Sequence, residues 1–323
     1  MKWFGIALSL LVALLIVLYT LLFTPFGNGI VKPVIEARLN AELNTDAVVE
    51  IFSLDMHRFD LKIALTPSNV ITASGTYSLF SQSVDASYTV AFEMMSELET
   101  LLQHSSEGKL HINGTAKGDA RDMKIAGESD IASSHTQYDV ILKAFSPASI
   151  IANINNAQLG ELLALAGEKA YADGDIFLQT EIKGIDVKNL DGEISFMVKN
   201  GKVDTALMHD DFNITLPQTR FGVKVLSKLR GNAVDYAANV QSNLLALNSK
   251  GKIIVAPLSM DLGYDLNIKE LALLRPVTNA PLRGAFATQG HVKGNEAALA
   301  VSGRSDIAGS DTRYDITLAQ FKP

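Results

Sequence analysis

The histidines are the side chains of this sequence best suited to catalysis or metal binding, and there are six of them. Only His209 is followed directly by carboxylates, those of Asp210 and Asp211. Imidazole and carboxylate groups are common zinc ligands, but three consecutive side chains on a strand point to alternate faces and cannot converge on one ion. We interpret these residues as a polar loop before a strand at 212–216, and we predict no metal site.

A serine nucleophile is equally unsupported. The dipeptide Ser129-Asp130 recurs 176 residues later, but the nearby His135 is replaced in the second copy by Asp311. Nucleophilic serine needs a base within hydrogen-bond reach, and a duplicated active site would keep that base. The sequence also contains no Gly-x-Ser-x-Gly elbow, GxxxxGK[ST] loop or His-Glu-x-x-His motif. We therefore predict no catalytic residues, and an envelope hydrolase is the least favoured function.

The composition of the chain excludes several further classes of function. The net charge is -7, whereas a nucleic-acid-binding protein needs a basic surface, so no nucleic-acid partner is expected. The chain has no cysteine, which excludes disulfides, thiolate zinc sites and cysteine nucleophiles. Hydrophobic residues make up 47% of the chain, enough for a substantial core. No feature of the sequence indicates a cofactor.

The strongest pattern in the sequence is an internal duplication. GESDIASSHTQYDVILKAF at 127–145 is repeated as GRSDIAGSDTRYDITLAQF at 303–321, with eleven of nineteen positions identical. The same offset of 176 relates Gly75 to Gly251 and Tyr88 to Tyr264, so residues 60–147 recur as 236–323. Repeats of this length are supersecondary units that stack on their neighbours. We therefore predict one repeat-built architecture.

Hydrophobic alternation indicates that the repeats are made of strands. Apolar and polar residues alternate with the period of a half-buried strand at 59–65, 88–92, 109–112, 175–182 and 192–198. The commonest hairpin turns are Asn-Gly and Asp-Gly. We accordingly predict turns at Asn113-Gly114, Asp173-Gly174, Asp191-Gly192 and Asn200-Gly201.

Short leucine-rich stretches lie between the predicted strands, at 96–103, 157–166 and 268–274. Helices this short are not stable alone and must pack on a sheet. We interpret them as caps at the ends or edges of the sheet.

The amino-terminal segment predicts a membrane anchor. Residues 3–23 are an uncharged run of 21 residues, which at about 1.5 Å per residue crosses a hydrocarbon core of about 30 Å. A cleaved signal peptide would have an apolar region of about 7–15 residues and a small-x-small site. We predict a transmembrane anchor over 1–24 with its N-terminus in the cytoplasm and a β-rich domain over 46–323 outside the cytoplasm. Between them we predict a juxtamembrane helix over 25–45, which either caps the sheet, the favoured role, or lies on the membrane surface.

The fold class that follows is mainly β: a transmembrane helix, then an elongated, curved antiparallel sheet with a few capping helices. So few short helices cannot cover about 15–20 strands, so the sheet must close on itself, form a sandwich or curve into a trough with an apolar lining. An exposed apolar concavity usually marks a binding site. The residues predicted to line such a groove are Leu110, Ile112, Ile176, Leu178, Ile182, Ile194 and Phe196.

Taken together, these features resemble the AsmA-like proteins, which are related to the TamB-type envelope proteins. The similarity lies in the anchor followed by Phe-Thr-Pro-Phe-Gly, the helix over 32–43, the strand at 59–65 and the helix-plus-glycine modules at 162–184 and 270–294. It implies an inner-membrane protein of Gram-negative bacteria. Such proteins project a trough-like β-sheet into the periplasm, act in phospholipid transport or outer-membrane assembly, and have no catalytic residues.

Two readings of the same residues stay open. In the first, the apolar groove holds lipid acyl chains; in the second, the residues are the core of a structural or assembly protein that binds other envelope proteins. The last strand adds a further expectation, since a sheet edge can accept another strand. We expect Tyr314, Ile316 and Leu318 to mark the edge where a partner or a second copy binds.

Overall fold

The computed structural model describes residues 28–55, 57–78, 80–184, 190–275, 281–295, 297–306 and 309–319. Within these ranges the protein is mainly β, as the alternating sequence predicts, and its seventeen strands form antiparallel sheet. The strands are β1 Val48–Leu54, β2 Arg58–Thr66, β3 Asn69–Ser78, β4 Ser83–Phe92, β5 Leu110–Asp119, β6 Asp122–Ser129, β7 His135–Lys143, β8 Ser146–Gln158, β9 Ala172–Lys183, β10 Asp191–Val203, β11 Arg220–Arg230, β12 Ala233–Ser242, β13 Leu245–Ile254, β14 Ser259–Ile268, β15 Phe286–Asn295, β16 Leu299–Ser305 and β17 Thr312–Leu318.

Helices are few and short, and each of the three leucine-rich stretches contains one. No helix in the described ranges is long and apolar enough to cross a bilayer, and the predicted anchor over 1–24 lies outside those ranges. The α-helices are α1 Asn28–Leu43, α2 Glu99–Leu102, α3 Leu159–Leu165 and α4 Thr205–Phe212, and the 3-10 turns are Met95–Leu98, Ile131–Ser133 and Leu271–Leu274.

The chain divides into two compact units, the first reaching residue 150 and including 161–168, the second containing 151–160 and the residues from 169 onward. In the first unit β1 to β7 pair in chain order, each strand antiparallel to the next. In the second unit β9 to β17 do the same. Each unit is therefore a ladder of consecutive hairpins.

The first ladder buries one of its faces. Its β2 residues Phe59, Leu61, Ile63 and Leu65 are at most 4% exposed, because side chains alternate between the faces of a strand. Helix α1 also packs on this unit: Ile35 is buried, and the Glu36 carboxylate accepts a hydrogen bond from the backbone N–H of Val49 at 3.1 Å. The closely packed apolar core of the first unit includes Ile71, Val90, Ile125, Val140 and Leu142.

The four predicted Asn-Gly and Asp-Gly turns are wrong. Gly114 lies in the middle of β5, and the glycines of the other three pairs lie within β9 and β10. The hairpin after β5 instead turns at residues 120–121, where the Asp119 carboxylate accepts hydrogen bonds from the N–H groups of Arg121 at 2.7 Å and Asp122 at 3.0 Å. A glycine on a strand often marks close packing rather than a turn, and Gly114 is such a case.

The predicted strand at 212–216 is also wrong. Phe212 is the last residue of α4, and the next strand, β11, begins at Arg220. Asp204 caps this helix by accepting hydrogen bonds from the N–H groups of Ala206 and Leu207, both at 3.0 Å. An aspartate before a helix-forming run is a recognisable N-cap signal, which the alternation-based interpretation overlooked.

Candidate functional site

One face of the second ladder consists of uncharged side chains. The strand register aligns these residues in four rows across β9 to β17, two residues apart along each strand. None of the aligned positions carries a charged side chain. We call this surface the open face. Its central row is Leu178, Phe196, Val225, Ala238, Ser249, Tyr264, Gly290, Gly303 and Tyr314.

The alternate residues of the same strands form a charged face. Cross-strand ion pairs join Glu193 to Lys228 at 2.8 Å and Asp261 to His291 at 2.8 Å. Such exposed pairs contribute little stability, about 0–1 kcal/mol each, but they show that this side of the sheet meets water. The second ladder therefore has one uncharged face and one charged face.

The open face is only half-buried. Every residue of its central row retains part of its surface exposed to solvent, and at the β17 end of the neighbouring row Ile316 is 45% exposed. With nine strands about 4.8 Å apart, the face extends roughly 38 Å across the strands. An uncharged surface of this size is far larger than the scattered apolar residues of an ordinary protein surface.

The duplicated residues of the first unit are arranged identically but are closed from solvent. Ile125 and Val140 are 0% exposed, whereas their counterparts Val301 and Ile316 are half-buried and exposed. The register is the same in both copies, since Ile125 pairs with Val140 and Val301 with Ile316. One pattern therefore forms a closed core in the first unit and an open face in the second.

A row of tyrosine, glycine, glycine and tyrosine crosses four strands in each copy. In the first, Tyr88 aligns with Gly114, Gly127 and Tyr138, and the two phenol oxygens lie 2.6 Å apart in a hydrogen bond. A Cβ atom on Gly114 would lie 2.5 Å from the Tyr88 oxygen, so the ring covers the glycine. This close approach explains why the glycine lies inside a strand.

The second copy repeats the row with Tyr264, Gly290, Gly303 and Tyr314. The two tyrosine hydroxyls again hydrogen-bond to each other, and Thr288 Oγ1 lies 2.6 Å from the Tyr314 oxygen. Burial, followed by the hydrogen bond to Tyr314, raises the pKa of Tyr264 to about 12. Tyr264 therefore remains neutral at physiological pH.

The structure brings five of the seven predicted groove residues together. Ile176, Leu178 and Ile182 lie on β9 and Ile194 and Phe196 on β10, all within the four rows of the open face. Phe196 pairs with Leu178, and the row continues into β11.

The other two predicted groove residues, Leu110 and Ile112, belong to β5 of the first unit. Leu110 is buried and Ile112 is half-buried. They are therefore separate from the open face of the second unit. The predicted edge residues Tyr314, Ile316 and Leu318 lie on β17, where they end three of the rows.

The interpretation of His209–Asp211 as a loop is corrected, since these residues lie in α4. Asp211 accepts hydrogen bonds from Lys169 Nζ at 2.7 Å and from the Tyr171 hydroxyl at 2.9 Å, and Lys169 holds the pKa of this carboxyl below its usual range. Throughout the described residues, no group of three or more metal-ligating side chains lies close enough to hold an ion.

A charge cluster around His111 was missed from the sequence. Its Nδ1 lies 2.7 Å from Asp130 and its Nε2 lies 2.7 Å from Glu93, and these two hydrogen bonds, the one to Asp130 first, raise the pKa of His111. Asp306, the counterpart of Asp130, keeps only the backbone bond, accepting from the N–H of Ala287 at 2.6 Å. Since the histidine is absent from the second copy, the cluster is specific to the first.

The four rows of the open face combine apolar side chains with hydroxyl groups, and none of their described residues is acidic, basic or a histidine. Models of known protein families, curated proteins and solved structures were compared with the chain, and none of them matches it. The function is therefore inferred from the geometry of the open face and its closed counterpart.

Proposed function

We propose that this protein binds lipid acyl chains on the open face of its second unit, without catalysing a reaction. The observation that carries this proposal is the half-buried, uncharged surface across β9 to β17, set against the closed core of identical register in the first unit. Large apolar patches rarely stay exposed in soluble proteins and mark sites of binding.

The chemistry of the face favours hydrocarbon as its ligand. Burying one methylene contributes roughly 0.8 kcal/mol, so ten methylenes would contribute about 8 kcal/mol before the cost of immobilisation. The hydroxyl groups of Tyr264, Thr288 and Tyr314 are already hydrogen-bonded among themselves. A hydrocarbon chain can therefore cover these three residues without breaking a hydrogen bond.

The cellular role we propose follows from the resemblance to the AsmA-like proteins together with the open face. The chain would be anchored in the inner membrane by residues 1–24, with its β-rich body in the periplasm. There it would act in phospholipid transport or in the biogenesis of the outer membrane. The ligand would be a phospholipid or another lipid with long acyl chains.

Photocrosslinking with a diazirine-labelled fatty acid tests the acyl-chain proposal on the full chain in membranes. We expect crosslinks on the open face, and we expect Leu178→Glu and Ile182→Glu to reduce them at least about tenfold, because an unpaired charge in hydrocarbon is costly. Gln179→Glu is the matched control, since this exposed neighbour lies on the opposite face. Crosslinks that are unchanged by Leu178→Glu would refute the proposal.

Unfolding measurements on the same variants separate a groove from a closed core. If Leu178 lines an open groove, Leu178→Glu should cost only about 1 kcal/mol of stability. If it belonged to a closed core, the same change should unfold the unit.

A second candidate function is the binding of other envelope proteins through β17. The exposed fraction of Ile316 favours it, since its counterpart Val140 is fully buried. Proline at Ile316 removes a backbone N–H, so Ile316→Pro should weaken strand addition while acyl crosslinking persists. Full-length chain with a photoreactive residue at Thr317 would report partners, and capture that is unaffected by Ile316→Pro would exclude this mode of binding.

A further inference from the structure

A cavity of about 830 Å³ lies on the second unit, and most of its lining residues project onto the charged face. Gly263 forms part of its floor. A Cβ atom on Gly263 would meet only backbone oxygens at 3.8 and 4.0 Å, so the missing side chain leaves space. Ala237 lies two strands away in the same row, and its small side chain widens the depression.

The polar side chains around this cavity are predominantly donors. Lys224, Lys250 and Arg304 are cationic and Asp265 is the one carboxylate in the lining, which gives two net positive charges (three minus one) in a chain of net charge -7. Cations and amide groups together are the usual means by which proteins bind anions. Three residues with side-chain amides also line the cavity: Asn239, Asn248 and Gln289.

The cations of the cavity differ from two other cations of the charged face. Lys228 and Lys293 form ion pairs at 2.8 and 3.1 Å, whereas among the described residues Lys224 and Lys250 make none. Arg304 reaches Asp311 only at 3.9 Å. Positive charge that is not neutralised by the protein is available to a ligand.

The first copy lacks this chemistry although it has the same strands. Its counterparts of Lys250, Gly263 and Arg304 are Ser74, Ser87 and Glu128. The shared fold therefore does not require the depression or its charge. Both features occur in the second copy and not in the first.

We propose that this cavity is a binding site for a small anionic ligand, with a phosphate group as the favoured chemistry. The flexible Lys224, Lys250 and Arg304 side chains would surround the anion, and the amides of Asn239, Asn248 and Gln289 would donate to its oxygen atoms. A soluble compound and a lipid headgroup are both sources of such a phosphate, and the chemistry of recognition is the same. The cations and amides of this site project onto the charged face, opposite the acyl-binding surface, so the proposal stands independently of acyl binding.

Calorimetry with sn-glycerol 3-phosphate tests the site on the full chain in neutral detergent at low salt. We expect Lys250→Ser combined with Arg304→Glu, the residues of the first copy, to weaken binding by about tenfold or more. The matched control is Lys228→Ser with Arg230→Glu, which makes the same change of net charge on the same face outside the cavity. Binding to the control should stay within about twofold of the unmodified chain.

Gly263→Ser tests the shape of the cavity separately from its charge. The serine is tolerated sterically, but it fills the floor, so we expect binding to weaken by about fivefold with no loss of stability. No measurable binding of glycerol phosphate or of vesicles containing phosphatidylglycerol would overturn the proposal. So would equal binding by the cavity variant and the control.

Comparison of the two probes identifies the source of the phosphate. Binding of sn-glycerol 3-phosphate alone would assign a soluble ligand. Binding that needs phosphatidylglycerol vesicles, and is absent with phosphatidylcholine vesicles, would assign a lipid headgroup. Either result supports an anion site, provided that the variant with Lys250→Ser and Arg304→Glu no longer binds.

Discussion

The two copies of the duplicated segment share their strand register but differ in their exposure to solvent. In the first copy, Ile125 and Val140 are completely buried, and in the second Val301 and Ile316 are not. Both copies keep the row of two tyrosines over two glycines. The strand register and the burial of the face are therefore determined separately. Hydrophobic alternation and the glycines set the register, and the residues that cover the face set its burial.

The residues that cover the face differ at one 3-10 turn, which lies between β4 and β5 in the first copy and between β14 and β15 in the second. In the first copy Met95 and Leu98 are buried, at 3% and 2% exposure, whereas the equivalent turn Leu271–Leu274 buries none of its residues. Asn69 ties the first turn down by donating to the carbonyl of Met94 at 2.9 Å. Its counterpart in the second copy is Leu245, which has no such donor.

The largest expected effect comes from placing a charge at the same position of both copies. Ile125→Asp should destabilise the first unit by about 4 kcal/mol or more, because the carboxylate would be buried without a partner. Val301→Asp should cost about 1 kcal/mol, because water reaches that residue. Urea unfolding followed by circular dichroism measures both, and equal losses would show that the second copy is closed in solution.

A methyl group on the covered glycines should give the next largest effect. Gly114→Ala should cost about 3 kcal/mol, since the added Cβ lies 2.7 Å from the carbonyl oxygen of Ala126 as well as 2.5 Å from Tyr88. Gly290→Ala should cost at least as much, because its added Cβ would lie 2.3 Å from the backbone carbonyl oxygen of Ser302 as well as 2.5 Å from the Tyr264 oxygen. Thermal unfolding compares the two, with Gly222→Ala as the control, where the nearest atom lies at 3.5 Å.

Loss of the Asn69 hydrogen bonds should make the 3-10 turn of the first copy more like that of the second copy. Asn69→Leu introduces the second copy's residue and removes the hydrogen bonds to Met94 and Thr66. We expect a loss of about 2 kcal/mol and faster hydrogen exchange over residues 94–102. Unchanged exchange there would mean that apolar packing alone holds the turn.

The smallest effect concerns pH. The folded pKa of His111 is raised above its unfolded value, so its charged form stabilises the first unit below about pH 6.5, and this contribution is lost as pH rises through the folded pKa. His111→Ala should therefore cost no more than about 1 kcal/mol at pH 6 and still less at pH 9. A loss that is independent of pH would show that the ring acts by packing.

The strands could be predicted from the sequence because alternation reports a local property. Phe59 to Leu65 alternates in the sequence and is buried at every second residue in the structure. Asn113-Gly114 misled for a physical reason: the glycine is required by Tyr88, which lies 26 residues earlier and contacts it only through the register. Turn chemistry is local, whereas ring-over-glycine packing is not.

The open face could be predicted only in part. The five groove residues on β9 and β10 alternate like any strand that buries one face, and so do Leu110 and Ile112 in the closed copy. Whether such a face is buried depends on residues from elsewhere in the chain that cover it, such as the 3-10 turn held by Asn69. The cavity at Gly263 depends likewise on side chains from several strands, which are brought together by register and not by sequence spacing.

Within each ladder the strands pair with their neighbours in the chain, which has a consequence for folding. Most of these hairpins close a short loop, for which the entropic cost is low, and the three longer connections, 93–109, 204–219 and 269–285, contain short helices. Either ladder can therefore lengthen by one strand at a time, in the order in which the chain is synthesised or translocated. Such growth needs no global collapse, and an interrupted chain would still possess a paired, native-like sheet up to its last completed hairpin.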